Sequence, residues 1–197
     1  MEPEYSERLS AIKTVLSHPG NTFTKTKRLF LEEPSHSTKG KRDEEFQIKS
    51  EVAALFKVPY AVVLFCGSAH LGISPVKGTL FEPGKSDLDL AIVSPTAFTE
   101  AFEDLAASVR GFSDLTAFSH DRGAAEFVKQ RIWKRGSIHL KEMPNTKWTN
   151  EKKAALRDIE KKYRPTFRSI TVAFYISEYF YCWKQKSSIS GLIGLGS

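Results

Sequence analysis

Two short segments, separated by a loop, limit what this chain can fold into. They are Val63-Leu64-Phe65-Cys66-Gly67-Ser68 and Ser86-Asp87-Leu88-Asp89-Leu90-Ala91-Ile92-Val93. Successive side chains of a strand point to opposite faces, so Asp87 and Asp89 should share one face, about 6.5 to 7 Å apart, while the leucines enter the core. A glycine that follows an apolar strand lets a ligand approach the backbone N–H groups closely. Together the two segments predict a site for metal-bound triphosphate chemistry.

The paired aspartates also indicate which kind of metal ion the site would bind. Two carboxylates on one face can hold Mg²⁺ or Mn²⁺, which prefer hard oxygen ligands. A pair of such ions about 3.5 to 4 Å apart activates an attacking hydroxyl and bridges phosphate oxygens. Asp87 and Asp89 are therefore the predicted metal ligands, and the Ser68 hydroxyl is a predicted donor to the triphosphate.

The order apolar strand, Gly-Ser turn, spacer and Asp-x-Asp strand resembles the DNA polymerase β-type nucleotidyltransferase superfamily, in its small bacterial-type form. The match covers residues 43–93. The resemblance implies an α/β (α+β) fold with a mixed, mostly antiparallel sheet flanked by helices and followed by a C-terminal helical segment. It also implies transfer of an NMP from an NTP such as ATP to a hydroxyl acceptor. Gly67, Ser68 and Ser86 would then lie at the triphosphate, with Asp87 and Asp89 catalytic and metal-binding.

Two features depart from the family pattern. The spacer between Ser68 and Asp87 has eighteen residues, and Leu71 stands where many small members have Arg. The longer spacer carries Lys77 and Lys85, which we expect at the phosphates or in a lid over the base or ribose; a harmless insertion is the alternative. Lys134 and Arg135 are weaker candidates for phosphate contacts.

The third carboxylate of the family, placed on a later strand, is not evident in this chain. The predicted strand over 137–140 presents His139 and no acid. His139 is a candidate general base because an unperturbed imidazole titrates near pH 6.5. Glu142, Asp114 and Asp121 are the alternative acids. If no acid reaches the site, we expect weak or no activity.

Positive charge is concentrated in one part of the chain. The net charge is +6, and residues 129–168 alone hold thirteen Lys or Arg against four acids. A local surplus of this kind attracts phosphates or nucleic acid, although a solvated helix face is an equally plausible reading. RNA or tRNA is therefore the preferred acceptor, and a protein hydroxyl or a second nucleotide is the next alternative.

The remaining composition is that of an ordinary globular protein in a reducing compartment. Cys66 and Cys182 form neither a disulfide framework nor a CxxC motif. The polar N-terminus does not resemble a secretory signal, and the longest apolar run, 170–183, is too short to span a bilayer. We expect a cytoplasmic location with no membrane partner.

Periodicity and turn residues predict the following elements. Helices are expected over 5–16, 43–57, 97–109, 124–130, 150–163 and 166–184, and strands over 61–65, 79–81, 88–93, 114–119 and 137–140. The strand over 61–65 should be central, 21–42 an exposed loop, and the aromatic helix 166–184 mainly a packing element rather than a base-stacking one. His70, His120 and Cys66 should be structural.

These elements suggest four regions. They are an N-terminal helix and basic loop (1–42), the nucleotidyltransferase core (43–145), a C-terminal helical segment (146–186) and a flexible tail (187–197). A non-catalytic nucleotide- or nucleic-acid-binding module on the same core, acting through a partner in a toxin–antitoxin or defence system, is the alternative function.

Overall fold

The computed structural model describes residues 3–118 and 122–194, and in them a four-stranded sheet lies between two layers of helices. The strands are β1 (Val63–Cys66), β2 (Leu88–Val93), β3 (Ser137–His139) and β4 (Ile170–Tyr175). The α-helices are α1 (Pro3–Ser17), α2 (Thr22–Lys27), α3 (Arg42–Phe56), α4 (Gly67–Leu71), α5 (Pro95–Ser108), α6 (Arg122–Arg135), α7 (Lys147–Lys162) and α8 (Glu178–Gly194).

The sheet is mixed and mostly antiparallel, as expected. Its order is β1-β2-β4-β3. The β2–β4 pair is parallel, and the β1–β2 and β3–β4 pairs are antiparallel. The α/β fold class and the C-terminal helix are therefore confirmed.

The two faces of the sheet differ in composition. One face, here called the apolar face, packs against α3, α5 and α7 through buried residues Val63, Phe65, Leu88, Leu90, Ile92, Ile170, Val172 and Phe174. The other, here called the carboxylate face, carries Asp89 and Thr171 at one end. Along the rest of its length it packs against α1, the π-helical turn Arg28–Glu32 and α8 through Cys66, Ala91, Ala173 and Tyr175.

The largest error of the sequence prediction concerns residues 166–184, which were expected as one helix. They form β4 followed by α8, and β4 occupies an interior position of the sheet. The sequence Ser169-Ile170-Thr171-Val172 alternates polar and apolar residues, which is the strand period. Short apolar runs are ambiguous between strand and helix, and the aromatic residues that follow concealed the boundary near Ser177.

Several smaller expectations are also corrected. Strand β1 lies at an edge of the sheet rather than in its centre. The segment 21–42 contains α2 and the π-helical turn, whose Leu29 and Phe30 are buried, so it is not simply an exposed loop. Residues Thr116–Phe118 form a 3-10 turn instead of an edge strand, and 79–81 contribute one isolated bridge, between Ile73 and Leu80.

At the C-terminus, α8 continues to Gly194, so most of the segment expected as a flexible tail is helical. The Thr146 side chain caps α7 together with Thr149, four residues before Asn150, where the helix was expected to start. None of the helices in the described ranges combines the length and hydrophobicity that a bilayer span requires.

Candidate active site

Strand pairing brings the two sequence segments together at one end of the sheet. Cys66 is the partner of Asp89 across the β1–β2 pair, and Gly67 follows Cys66 directly. Gly67 has φ +60°, and a Cβ on it would lie 2.8 Å from Asp89 Oδ2. Glycine is thus required here both for its backbone conformation and for the close approach of the carboxylate. The chain then enters α4, so Ser68 lies in a short helix, half-buried, rather than in an open turn.

Asp89 is exposed to solvent and fixed by one hydroxyl. Thr171 Oγ1 donates a hydrogen bond to Asp89 Oδ1 at 2.6 Å, and the two residues are register partners in the β2–β4 pair. The other oxygen, Oδ2, faces Gly67. One carboxylate oxygen is thus held by the protein while the second points to the β1–α4 junction.

Asp87 lies on the same side, immediately before β2, and is held more firmly. Arg168 donates to both carboxylate oxygens, from Nε at 2.9 Å and from Nη2 at 2.6 Å, and Ser169 Oγ donates at 2.7 Å. Burial opposes ionisation of Asp87, but these hydrogen bonds and the positive charge of Arg168 outweigh it and lower the pKa of the carboxyl. Asp87 is therefore an ionised group already engaged by a guanidinium.

The position expected for a third acid is occupied by hydroxyl groups. Ser169 directly precedes β4 and Thr171 lies within it, just as Asp87 precedes β2 and Asp89 lies within it. Ser169 donates a hydrogen bond to Asp87, and Thr171 donates one to Asp89. Within residues 3–118 and 122–194, no three His, Cys, Asp or Glu side chains cluster closely enough to hold a metal ion. The site consists of two carboxylates, two hydroxyls and one guanidinium.

The other acid candidates are engaged elsewhere or lie outside the described residues. Glu142 Oε1 is 3.2 Å from Arg131 Nη2, and Asp114 accepts hydrogen bonds from Thr116. Asp121, like His120, falls outside the described residues. None of the described candidates contacts Asp87 or Asp89.

His139 lies on the carboxylate face, two strands away from Asp89 in the order of the sheet. Its Nε2 is 2.5 Å from Arg131 Nη1 and accepts the hydrogen bond, because a guanidinium can only donate. Burial, followed by the charges of Arg131, Lys141, Lys184 and Arg135, lowers its pKa to about 3. A nitrogen with this pKa is a poor general base at neutral pH. We do not assign His139 that role.

The predicted phosphate-binding lysines differ in placement. Lys77 is exposed, and its charge contributes to lowering the pKa of Asp87, so it lies near the site. Lys85 is exposed and forms a 2.7 Å ion pair with Glu82. Ser86 Oγ accepts a hydrogen bond from the Glu82 backbone N–H at 3.0 Å and shapes this turn rather than facing the acids.

Sequence reasoning missed a lysine, Lys184, on the helix that packs on the carboxylate face. Lys184 of α8 is largely buried, which lowers its pKa; the charges of Arg135 and Arg131 act in the same direction, whereas Cys66 and Asp89 raise it. Its ammonium group therefore lies in the electrostatic range of Asp89. A correct prediction of strand β4 would have indicated Lys184, Arg168 and Thr171, since the position of β4 determines where these three residues lie.

Of the residues predicted as structural, His70 and Cys66 lie in the described part of the chain, and both are buried with hydrogen-bond partners. His70 is buried, with Nε2 2.7 Å from the Leu29 carbonyl oxygen and Nδ1 3.2 Å from Ser35 Oγ. Cys66 is buried with its sulfur 3.5 Å from Tyr181 Oη, and burial raises the pKa of its thiol to about 12. Neither group is available as a nucleophile or a ligand.

Comparison of the chain with protein-family models, curated proteins and solved structures finds no match. The functional argument therefore depends on the geometry of this site.

Proposed function

We propose that the protein is a metal-dependent nucleotidyltransferase that moves an NMP from an NTP to a hydroxyl acceptor. The observation that carries the proposal is the contact between the Asp89 carboxylate and Gly67, with Asp87 on the same side two residues earlier. Such an arrangement brings two anionic ligands next to a backbone segment that is open to a phosphate. It is the arrangement that the resemblance to the nucleotidyltransferase superfamily implies.

The donor set fits one Mg²⁺ or Mn²⁺ ion delivered with the nucleotide. Magnesium is commonly bound by one or two carboxylates together with substrate phosphates and water. Asp89 would supply the first protein ligand through Oδ2, and Asp87 the second once Arg168 releases it. The bound metal would neutralise phosphate charge and polarise the α-phosphate.

The protein's own groups would then align the reactants. Gly67 leaves room for the Asp89 carboxylate, Ser68 would donate to the triphosphate, and Lys77 and Lys184 would add positive charge near Asp87 and Asp89, respectively. In the transfer, the acceptor oxygen forms a bond to the α-phosphorus, the bond to pyrophosphate breaks, and pyrophosphate leaves with the electron pair. The hydroxyl proton passes to solvent, since no third acid contacts the pair among the described residues. Alignment and charge neutralisation account for most of the catalysis in such a reaction.

The test is incubation of the protein with α-labelled NTPs, Mg²⁺ and cell extract, followed by separation of RNA, protein and nucleotides. We expect label in an acceptor fraction, and loss of label with Asp89→Asn and Asp87→Asn. Asp158→Asn is the matched control, because Asp158 is exposed and pairs only with Lys161. Equal labelling by Asp89→Asn and the wild type contradicts the proposal.

A second candidate is a binding module without turnover. It is favoured by the two contacts from Arg168 that occupy Asp87 and by Thr171 at the position where an acid would complete the metal site. This candidate predicts NTP or nucleic-acid affinity that falls with salt and no transfer of label. Single-turnover label transfer with bound NTP and Mg²⁺ distinguishes the two, because the enzyme moves label to an acceptor whereas the binding module retains unreacted NTP.

A further inference from the structure

Three aromatic rings form a stack on the surface where α2 meets α8. The rings of Phe23 and Tyr179 have centroids 5.4 Å apart, and those of Tyr179 and Trp183 have centroids 6.2 Å apart, with interplanar angles of 30° and 16°. Tyr179 is 55% exposed and Trp183 is 47% exposed. The expectation that the aromatic residues of this segment serve packing holds for the buried Tyr175 and Tyr181, but not for these two.

Positive charge flanks both ends of this aromatic ridge, defined as Phe23, Tyr179 and Trp183. Lys27 Nζ lies 5.9 Å from the Phe23 ring centroid, and Lys186 Nζ lies 5.3 Å from that of Trp183. Lys27 also pairs with Glu178, the one acid of α8. Lys184, adjacent to Trp183 in the chain, extends the positive charge towards Asp89.

We propose that the aromatic ridge binds single-stranded nucleic acid and that the acceptor of the transfer is such a strand; the acceptor role rests on the proposed function. Each base offers a flat face that can stack on an exposed ring, and a lysine at the end of the ridge can contact a phosphate. α8, which carries Tyr179 and Trp183, packs on the carboxylate face, so the ridge and the carboxylates lie on the same side of the sheet. A protein partner would be expected to bury such rings in an apolar surface, whereas the positive charge of Lys186 beside Trp183 favours a polyanion.

The experiment measures fluorescence polarisation of a fluorescein-labelled dodecamer of uridine, with no nucleotide and no divalent metal. Trp183→Ser and Tyr179→Ser are each expected to weaken binding about tenfold, since stacking contributes about 1 to 3 kcal/mol per base. Lys186→Gln should reduce the slope of log K against log salt by about 0.7, the share of one phosphate contact on a single strand.

A matched control lies on the other side of the sheet. Phe46 and Tyr60 form a second exposed aromatic pair, with ring centroids 5.4 Å apart and Lys49 Nζ 4.6 Å from the Tyr60 centroid. Tyr60→Ser should leave dodecamer binding unchanged. Circular dichroism and thermal unfolding of each variant separate a loss of contacts from a loss of fold.

The inference is overturned if Trp183→Ser and Tyr179→Ser bind the dodecamer as the wild type does. It is also overturned if the ridge variants abolish self-association in sedimentation velocity while the wild type binds no dodecamer, because the occupant is then a second copy of the chain. Asp89→Asn should bind the dodecamer normally. Ridge-dependent binding without label transfer refutes the proposed function alone, and label transfer unaffected by Trp183→Ser refutes the ridge alone.

Discussion

The apolar face and the carboxylate face are built on the same strands but from different chemistry. On the apolar face, the buried residues of β2 and β4 are aliphatic or aromatic and pack against helices along the full strand length. On the carboxylate face, packing stops short of one end, where Asp89 is exposed and Thr171 is half-buried. The period of two therefore divides β2 and β4 into a side that is buried throughout and a side whose one end carries polar groups at the surface.

This division predicts that stability and activity can be changed separately. Substitutions on the apolar face should lower the free energy of unfolding and leave the folded molecules active. Substitutions at the exposed end of the carboxylate face should do the reverse. The four predictions that follow begin with the largest effect.

Phe174→Ala should destabilise the protein by about 3 to 5 kcal/mol, the range for loss of a buried phenylalanine. Phe174 is fully buried and its ring packs edge-on against Phe56 at 5.2 Å. Urea unfolding followed by circular dichroism measures the change. Thr171→Val, on the same strand but the other face, is the control and should change the free energy of unfolding by about 1 kcal/mol or less, since it removes one exposed hydrogen bond. Equal losses in the free energy of unfolding for Phe174→Ala and Thr171→Val would contradict the difference between the two faces.

Asp89→Asn should reduce label transfer at least about 100-fold, or about 2.7 kcal/mol, because it removes the carboxylate that faces Gly67. The midpoint of urea unfolding should stay close to that of the wild type, since Asp89 is exposed. Initial rates of NMP incorporation measure the loss. A large drop in stability without a drop in rate per folded molecule would place Asp89 among the structural residues.

Thr171→Asp should strengthen Mn²⁺ binding about tenfold, or about 1.4 kcal/mol. The substitution puts a third carboxylate in register with Asp89, where the structure has a hydroxyl. Without metal it should lower stability, because two like charges then face each other. Electron paramagnetic resonance of free Mn²⁺ measures the affinity, with Thr171→Asn as the uncharged control. Equal affinity for both variants would show that the acids of β2 do not bind the ion.

His139→Gln should flatten the dependence of stability on pH. The folded-state pKa of His139 is lowered to about 3, so the unfolded chain binds the proton more readily between that value and its usual 6.5. Its contribution is complete above pH 6.5 and is lost as the pH falls towards 3, by at most about 1.4 kcal/mol per pH unit. Urea unfolding at pH 7, 6 and 5 should show a smaller loss in the variant. If the free energy of unfolding falls with pH equally in the wild type and in His139→Gln, the imidazole of His139 is not held neutral in the folded protein.

The sequence predicted β2 and its two acids because Leu88–Val93 carry the strand period without ambiguity. The order of the two segments and their resemblance to the nucleotidyltransferase pattern led us to expect Gly67 and Asp89 in one site, and the antiparallel β1–β2 pairing brings them together. The edge position of β1 could not be predicted, because an apolar strand of four residues carries no information about which strands pair with it.

The part of the site that comes from β4 and the residues just before it could not be predicted from the sequence. Arg168, Ser169 and Thr171 contact the acids only because β4 runs parallel to β2 in this register. A parallel pairing joins residues about eighty positions apart, and no local pattern encodes it. Lys184 was missed for the same reason, since its approach to the acids depends on where α8 crosses the sheet.

The late position of β4 in the chain has a consequence for synthesis on the ribosome. β4 hydrogen-bonds to both β2 and β3, and β3 has no other strand partner in the described part of the chain. Until residues 170–175 leave the exit tunnel, the nascent chain exposes an unpaired β2 edge to solvent, and both acids lack the hydroxyls that orient them. Nascent chains that stall before this point are therefore candidates for strand-mediated aggregation and for chaperone binding.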